Sequence, residues 1–150
     1  TYLLDTGILL RLIDTQDPQH SVVTEAVFLL GERQENMIVA TQNVAEYWNV
    51  ATRPVSNNGL ALPTDVAMTS LEQTIETICL FTGIGVALRS LEELGNEDVV
   101  TGKQVHDARL VAFMLSSGID NILTLNAKDF RRYEPEGICV VTPLDLIASE

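Results

Sequence analysis

Four carboxylates stand where short apolar runs end or helices begin. Asp5 follows Tyr2-Leu3-Leu4, Glu46 lies in the helix after Met37-Ile38-Val39-Ala40, Asp107 sits at a helix start, and Asp129 comes shortly after Ile122-Leu123-Thr124-Leu125. Carboxylates gathered in one place repel and raise one another's pKa unless a cation sits among them. An all-oxygen set suits Mg2+ or Mn2+, hard ions that keep several waters and bind phosphate oxygens. Such an ion positions a water, increases its acidity and stabilises charge in an in-line phosphodiester displacement. Taken singly, each acid also has a structural explanation. Asp5 serves as a turn or N-cap residue, Glu46 as a solvated glutamate off its helix's apolar stripe, Asp107 as a helix-start residue favoured by the dipole, and Asp129 as a cap of the NAKDF turn. The catalytic reading therefore rests on the set, and on a fold that gathers it.

Other chemistry has less support. His106 neighbours Asp107, but adjacent helix positions point about 100° apart, and His20 is distant, so no histidine pair has metal-ligand spacing. Tyr47 and Trp48 fall with Val44 and Ala51 on a helical stripe and read as core, not as a base-stacking platform. No G-x-G-x-x-G, Walker A loop or G-x-S-x-G occurs. Cys79 and Cys139 lack a C-x-x-C or a neighbouring histidine and read as two buried thiols.

The elements that must position these acids follow from period and punctuation. Residues 2–4 read as a strand, a Thr6-Gly7 break leads into the helix ILLRLID, and residues 14–18 form a polar break. Helical spacing of Val22, Ala26, Leu29 and Leu30 predicts a helix over about 19–32. Residues 37–40 are a second strand, and Thr41 is the expected N-cap of the next helix, which Arg53-Pro54 ends. VSNNG is a loop, and Pro63 opens a helix to about Cys79. A third strand is expected around 78–82 and a helix over GVALRSLEELGN. A stripe of Gln104, Ala108, Val111, Ala112 and Leu115 predicts a helix opened by Asp107 and stopped at Gly118. A strand at 122–125, a helical turn over NAKDFRRY, a strand at 138–141 and a tail helix from Pro143 complete the chain. All-apolar strands alternating with helices mean an α/β domain with a buried parallel sheet. Ligands bind such sheets at the carboxyl ends of the strands, where Asp5 and the residues after 122–125 fall.

A chain of 150 residues is the size of one domain with a single substantial core. No apolar run approaches the roughly 20 residues of a membrane span, and no basic-then-apolar signal opens the chain, so a cytoplasmic protein that does not engage a membrane is expected. The net charge of −12 opposes nucleic-acid binding, which normally uses a basic face. The distribution is less hostile: six of the nine basic residues, Arg53, Lys103, Arg109, Lys128, Arg131 and Arg132, lie in or beside the acid-bearing segments. Bound divalent cations also offset negative charge locally.

The stretches LLDTGILLRLID at 3–14, VATQNVAEYWNVATRPVSNNGLAL at 39–62, GKQVHDARLVAFML at 102–115 and ILTLNAKDFRRY at 122–133 resemble the PIN-domain family, and more narrowly VapC-like toxins of bacterial toxin–antitoxin pairs. The likeness extends from residue 3 to about 143. It implies one PIN-like nuclease domain over 1–150, built as a three-layer α/β/α sandwich around a parallel sheet of four to five strands, with the first and fourth strands adjacent. It implies Mg2+- or Mn2+-dependent endoribonuclease activity on a cellular RNA, a homodimer, and a cognate antitoxin whose tail enters the active-site groove. Carried over by position, the acids are Asp5, Glu46 and Asp107, with Asp5 and Asp107 as metal ligands. Thr6 and Thr124 match polar positions near the metal. Two positions depart from the family pattern: Asn126 stands where a fourth acid is usual, with Asp129 later, and Gly7 where Asn is common. Lys103 and Arg109 are candidate phosphate contacts, as are Arg53, Arg131 and Arg132, against a structural role for each.

Three functions compete. An RNA-cleaving toxin uses the acid set. A PIN-like binding module without catalysis is motivated by the acidity and Asn126. A hydrolase of small phosphate esters needs only the acids, but Asp5 is followed by Thr6-Gly7 and the D-x-D-x-T pattern of one common class is missing.

Overall fold

The computed structural model describes residues 1–82, 87–89 and 103–149, with side chains for 1–76 and 106–149. The strands are β1 (Tyr2–Leu4), β2 (Met37–Ala40), β3 (Ala87–Arg89), β4 (Asn121–Leu123) and β5 (Cys139–Val141). The helices are α1 (Thr6–Ile13), α2 (His20–Glu32), α3 (Thr41–Thr52), α4 (Thr64–Thr82), α5 (Lys103–Ser117), α6 (Ala127–Phe130) and α7 (Pro143–Ala148). The strands form one sheet in the order β3-β2-β1-β4-β5, and every neighbouring pair is parallel. The first and fourth strands are adjacent, as the resemblance implied.

Successive strand residues point to opposite faces, so Leu3 and Leu4 serve different cores. Leu4, Met37, Val39 and Leu123 pack with Ile8 and Leu9 of α1, Val23, Ala26 and Leu30 of α2 and Tyr47 of α3. Leu3, Ala40 and Ile122 pack with Leu110, Val111, Phe113 and Met114 of α5 and Phe130 of α6. Each of the Val, Leu, Ile, Phe and Met side chains among them contributes about 1.5–3 kcal/mol when fully buried. The two cores make a three-layer α/β/α sandwich, and burial on both faces explains why the strands read as unbroken apolar runs. Among the described residues no helix is long and apolar enough to cross a membrane.

Several expectations are corrected. Residues 78–82 are the last turn of α4, not a strand; a short apolar run does not distinguish a strand from a buried helix segment. The third strand lies instead at Ala87–Arg89, inside a stretch expected to be helical, and the remainder of that stretch lies outside the described residues. Thr41 is the first residue of α3, not its cap. β2 runs into α3 without a loop, and the N–H of Ala40 is taken by Asn43 Oδ1 at 3.1 Å. Asp107 does not open α5: the helix starts at Lys103, and Asp107 lies a full turn in. The buried face of α5 is Leu110, Val111, Phe113 and Met114, while Ala108, Ala112 and Leu115 face solvent. The larger side chains won the core and turned the expected stripe. Cys139 is exposed and free, because β5 is an edge strand; the side chain of Cys79 lies outside those described.

Candidate active site

Sheet register brings the first two site residues together. Leu4 is level with Leu123, so Asp5 and Thr124, the next residues, leave the sheet side by side, and the Asp5 N–H donates to the Leu123 carbonyl at 3.0 Å. The strand order turns at this point: β2 and β3 lie to one side of β1, β4 and β5 to the other. α1 leaves β1 toward one core and α6 leaves β4 toward the other. Diverging connections open a crevice at the carboxyl edge, where ligands bind in sheets of this kind.

Asp5 is the N-cap of α1. Its Oδ1 accepts from the Thr6 N–H at 2.8 Å, and its Oδ2 accepts from the Thr124 hydroxyl at 2.7 Å. Thr124 is fully buried, and its oxygen also accepts from the Asn126 N–H at 2.9 Å. Burial lifts the Asp5 carboxyl to about 6 from an ordinary 3.8, opposed by the Thr124 and Thr6 hydrogen bonds and reinforced by the charges of Glu46 and Asp107. Asp5 is thus an N-cap, as the structural explanation held, and also a half-buried acid whose carboxyl is raised.

The loopless start of α3 sets its first turns over the same edge. Gln42 and Glu46, one turn apart on a face separate from the buried Tyr47 and Ala51, turn toward the crevice. Glu46 Oε2 accepts from the Thr6 hydroxyl at 2.9 Å, and Oε1 accepts from Gln42 Nε2 at 2.9 Å. Asn43 Nδ2 donates in turn to Thr6 Oγ1 at 3.2 Å. Gln42 Nε2 also donates to the His106 carbonyl at 2.8 Å, tying α3 to α5. His106 Nδ1 stands 3.4 Å from Glu46 Oε1.

Asp107 enters on α5. It shares a helix face with Val111 and Met114, at i, i+4 and i+7, so the buried face that anchors α5 on the sheet also carries this carboxylate inward. Asp5, Thr6, Glu46 and Asp107 line one open cleft of about 480 Å3, with Asn126 at its side. Thr124 lies beneath Asp5. Asp129 does not line the cleft; its Oδ2 accepts from Asn126 Nδ2, so it supports the residue that does. Arg109 is exposed and absent from the lining, and the Lys103 side chain lies outside those described. Lining residues beyond the candidates include His106, whose angular separation from Asp107 argued against it, and the charged Arg11 on α1. Arg11 follows Gly7, another lining residue, by four positions, the helical neighbour spacing that would have pointed to it.

The donor set fits a hard divalent ion. Asp5, Glu46 and Asp107 offer oxygen alone, and an ion of this kind is typically held by one or two carboxylates with waters completing its shell. Among the described residues no three His, Cys, Asp or Glu side chains are arranged to hold an ion by themselves, so water or substrate oxygens would complete the coordination. A cation there would also offset the Glu46 and Asp107 charges that add to the effect of burial on Asp5.

A parallel α/β/α sheet with acids from three segments at its switch point defines the class of α/β domains with an acidic cleft at the carboxyl edge. The protein-family model for the PIN domain matches residues 2–135, and the chain belongs to the PIN-domain family. The family points to a nuclease-type function, and its nucleases generally use divalent metal ions. No curated protein matches the chain.

Proposed function

We propose that this protein is a Mg2+- or Mn2+-dependent endoribonuclease, the VapC-like toxin of a toxin–antitoxin pair. The observation that carries this reading is the convergence of Asp5, Glu46 and Asp107, remote in sequence, on one cleft at the carboxyl edge. We assign Asp5 and Asp107 to the metal, which when bound supplies an acidified water and charge stabilisation at the scissile phosphate. Thr124 and Thr6 hold the Asp5 carboxylate in one orientation. Glu46, fixed by Thr6 and Gln42, accepts a proton from the attacking water, and Asn126, braced by Asp129, contacts the substrate. In this reading residues 1–150 form one nuclease domain that works in the cytoplasm as a homodimer, and a cognate antitoxin blocks the cleft.

The test is cleavage of total cellular RNA with Mg2+ or Mn2+, with EDTA, and by the Asp5→Asn protein. Discrete cuts that need the metal and vanish in the variant are expected; a folded, antitoxin-free preparation that cuts nothing would overturn the proposal. One observation favours a second reading, a PIN-like binding module: the amide of Asn126, not a fourth acid, faces the cleft and is already engaged by Asp129. Absence of divalent binding by calorimetry is its expected signature.

A further inference from the structure

A phosphodiester chain carries negative charge into a cleft that already holds three carboxylates. Among the described residues lining the cleft, Arg11 is the only lysine or arginine. None of Arg53, Arg109, Arg131 and Arg132, the other arginines considered as phosphate contacts, lines it. Arg11 is also a held group. Its Nε lies 3.3 Å from Asp17 Oδ2, and both side chains are largely sheltered, at 32% and 20% exposure. Asp17 is in turn fixed by the Gln19 N–H, which donates to its Oδ1 at 2.8 Å. His20 Nδ1 sits 2.6 Å from the Arg11 carbonyl, so the start of α2 grips the end of α1.

The contact is an ion pair and not a hydrogen bond, since Nε is buried without a hydrogen-bond partner; the guanidinium's other edge carries its two terminal nitrogens. A guanidinium fork matches phosphate geometry and loses little entropy when its partner has already fixed it. Its position matters as much as its charge. Arg11 lies one helical turn past Gly7, so it sits about 6 Å further along α1 than the residue beside the acids. That is the scale of one nucleotide step, which takes Arg11 beyond the acid cluster and toward a neighbouring phosphate.

We propose that Arg11, oriented by Asp17, binds a phosphate of the RNA strand adjacent to the one that is cleaved, and so sets the strand's register over the acids. The proposal rests on the ribonuclease reading. It assigns to α1 the cationic contact that a net charge of −12 would otherwise leave unaccounted for. Arg11 is a positioning residue, not one that acts on the scissile bond.

The experiment measures binding of a fluorescein-labelled single-stranded RNA of mixed sequence, in Ca2+, across a salt series. It compares the parent, Arg11→Met, Arg11→Lys and Asp17→Asn, each checked for folding by circular dichroism. For Arg11→Met, affinity at moderate salt is expected to fall about tenfold, and the slope of log K against log salt to shrink by about 0.7, one phosphate on a single strand. Arg11→Lys should restore the slope; Asp17→Asn should keep the slope and weaken binding, because the charge remains while its orientation is lost. A folded Arg11→Met, or Arg11→Gln should the former not fold, with the parent's slope would overturn the role of Arg11 while leaving the ribonuclease reading standing. A parent that binds no RNA would overturn both.

Discussion

Asp5 combines burial, two hydrogen bonds and two neighbouring carboxylates, and its protonation follows from that balance. With its carboxyl raised to about 6 in the folded chain against 3.8 unfolded, the folded state binds more protons between those values. Stability of the metal-free protein therefore falls as pH rises through that window, by about 3 kcal/mol in total. Asp5→Asn removes the charge and is expected to raise the melting temperature of the metal-free protein at about pH 7.5, with the gain shrinking toward about pH 4. A melting temperature that does not change at neutral pH would refute this account. Thr124→Val removes the hydroxyl that donates to Asp5 and accepts from Asn126, leaving the Asn126 N–H without this acceptor. A loss of about 1–3 kcal/mol in urea unfolding is expected, together with reduced RNA cleavage.

At the scale of elements, the site depends on junctions more than on helices. β2 passes into α3 with no intervening residue, which is what carries Glu46 over the sheet edge. The turn from α3 to α4 is equally constrained. Leu60, Ala61 and Leu62 donate to the carbonyls of Val50, Arg53 and Ala51, and a Cβ at Gly59 would stand 2.0 Å from the Arg53 carbonyl oxygen. That contact is with backbone and has no soft neighbour to yield. Gly59→Ala is therefore expected to cost about 2–4 kcal/mol, within the range of severe single substitutions. Equal denaturation midpoints for Gly59→Ala and the parent would contradict the close approach.

Across the whole molecule, the acids proposed to serve a nuclease also work against the fold that holds them. A divalent cation that binds the native cleft and not the unfolded chain stabilises by mass action, about 2.7 kcal/mol at a hundredfold excess over its dissociation constant. Mn2+ is expected to raise the melting temperature of the parent and to do so much less for Asp5→Asn; EDTA should reverse the effect. Equal shifts in both proteins would place the ion elsewhere on this acidic surface.

Much of the architecture was legible in the amino-acid order because its causes are local. Apolar runs at 2–4, 37–40 and 122–125 point to a sheet buried on both faces, and the polar breaks between them require crossovers, which is enough for a parallel α/β domain. Asp5 was visible as an acid at a strand end, whereas Asp107, expected at a helix start, lies a full turn into α5, and Asp129, expected in the set, does not line the cleft. The states of residues 78–82 and 87–89 were not legible, since a short apolar run suits a strand or a helix and only neighbouring elements choose between them. Nor was the face of α5: packing against Leu3 and Ile122, not the spacing of alanines, decided which residues turned inward and so carried Asp107 to the cleft. Arg11 was hidden for the same reason. In sequence it is one charge within an apolar helix, and its spacing of four from Gly7 becomes a cue only once the structure sets Gly7, His106 and Asp107 around one cleft.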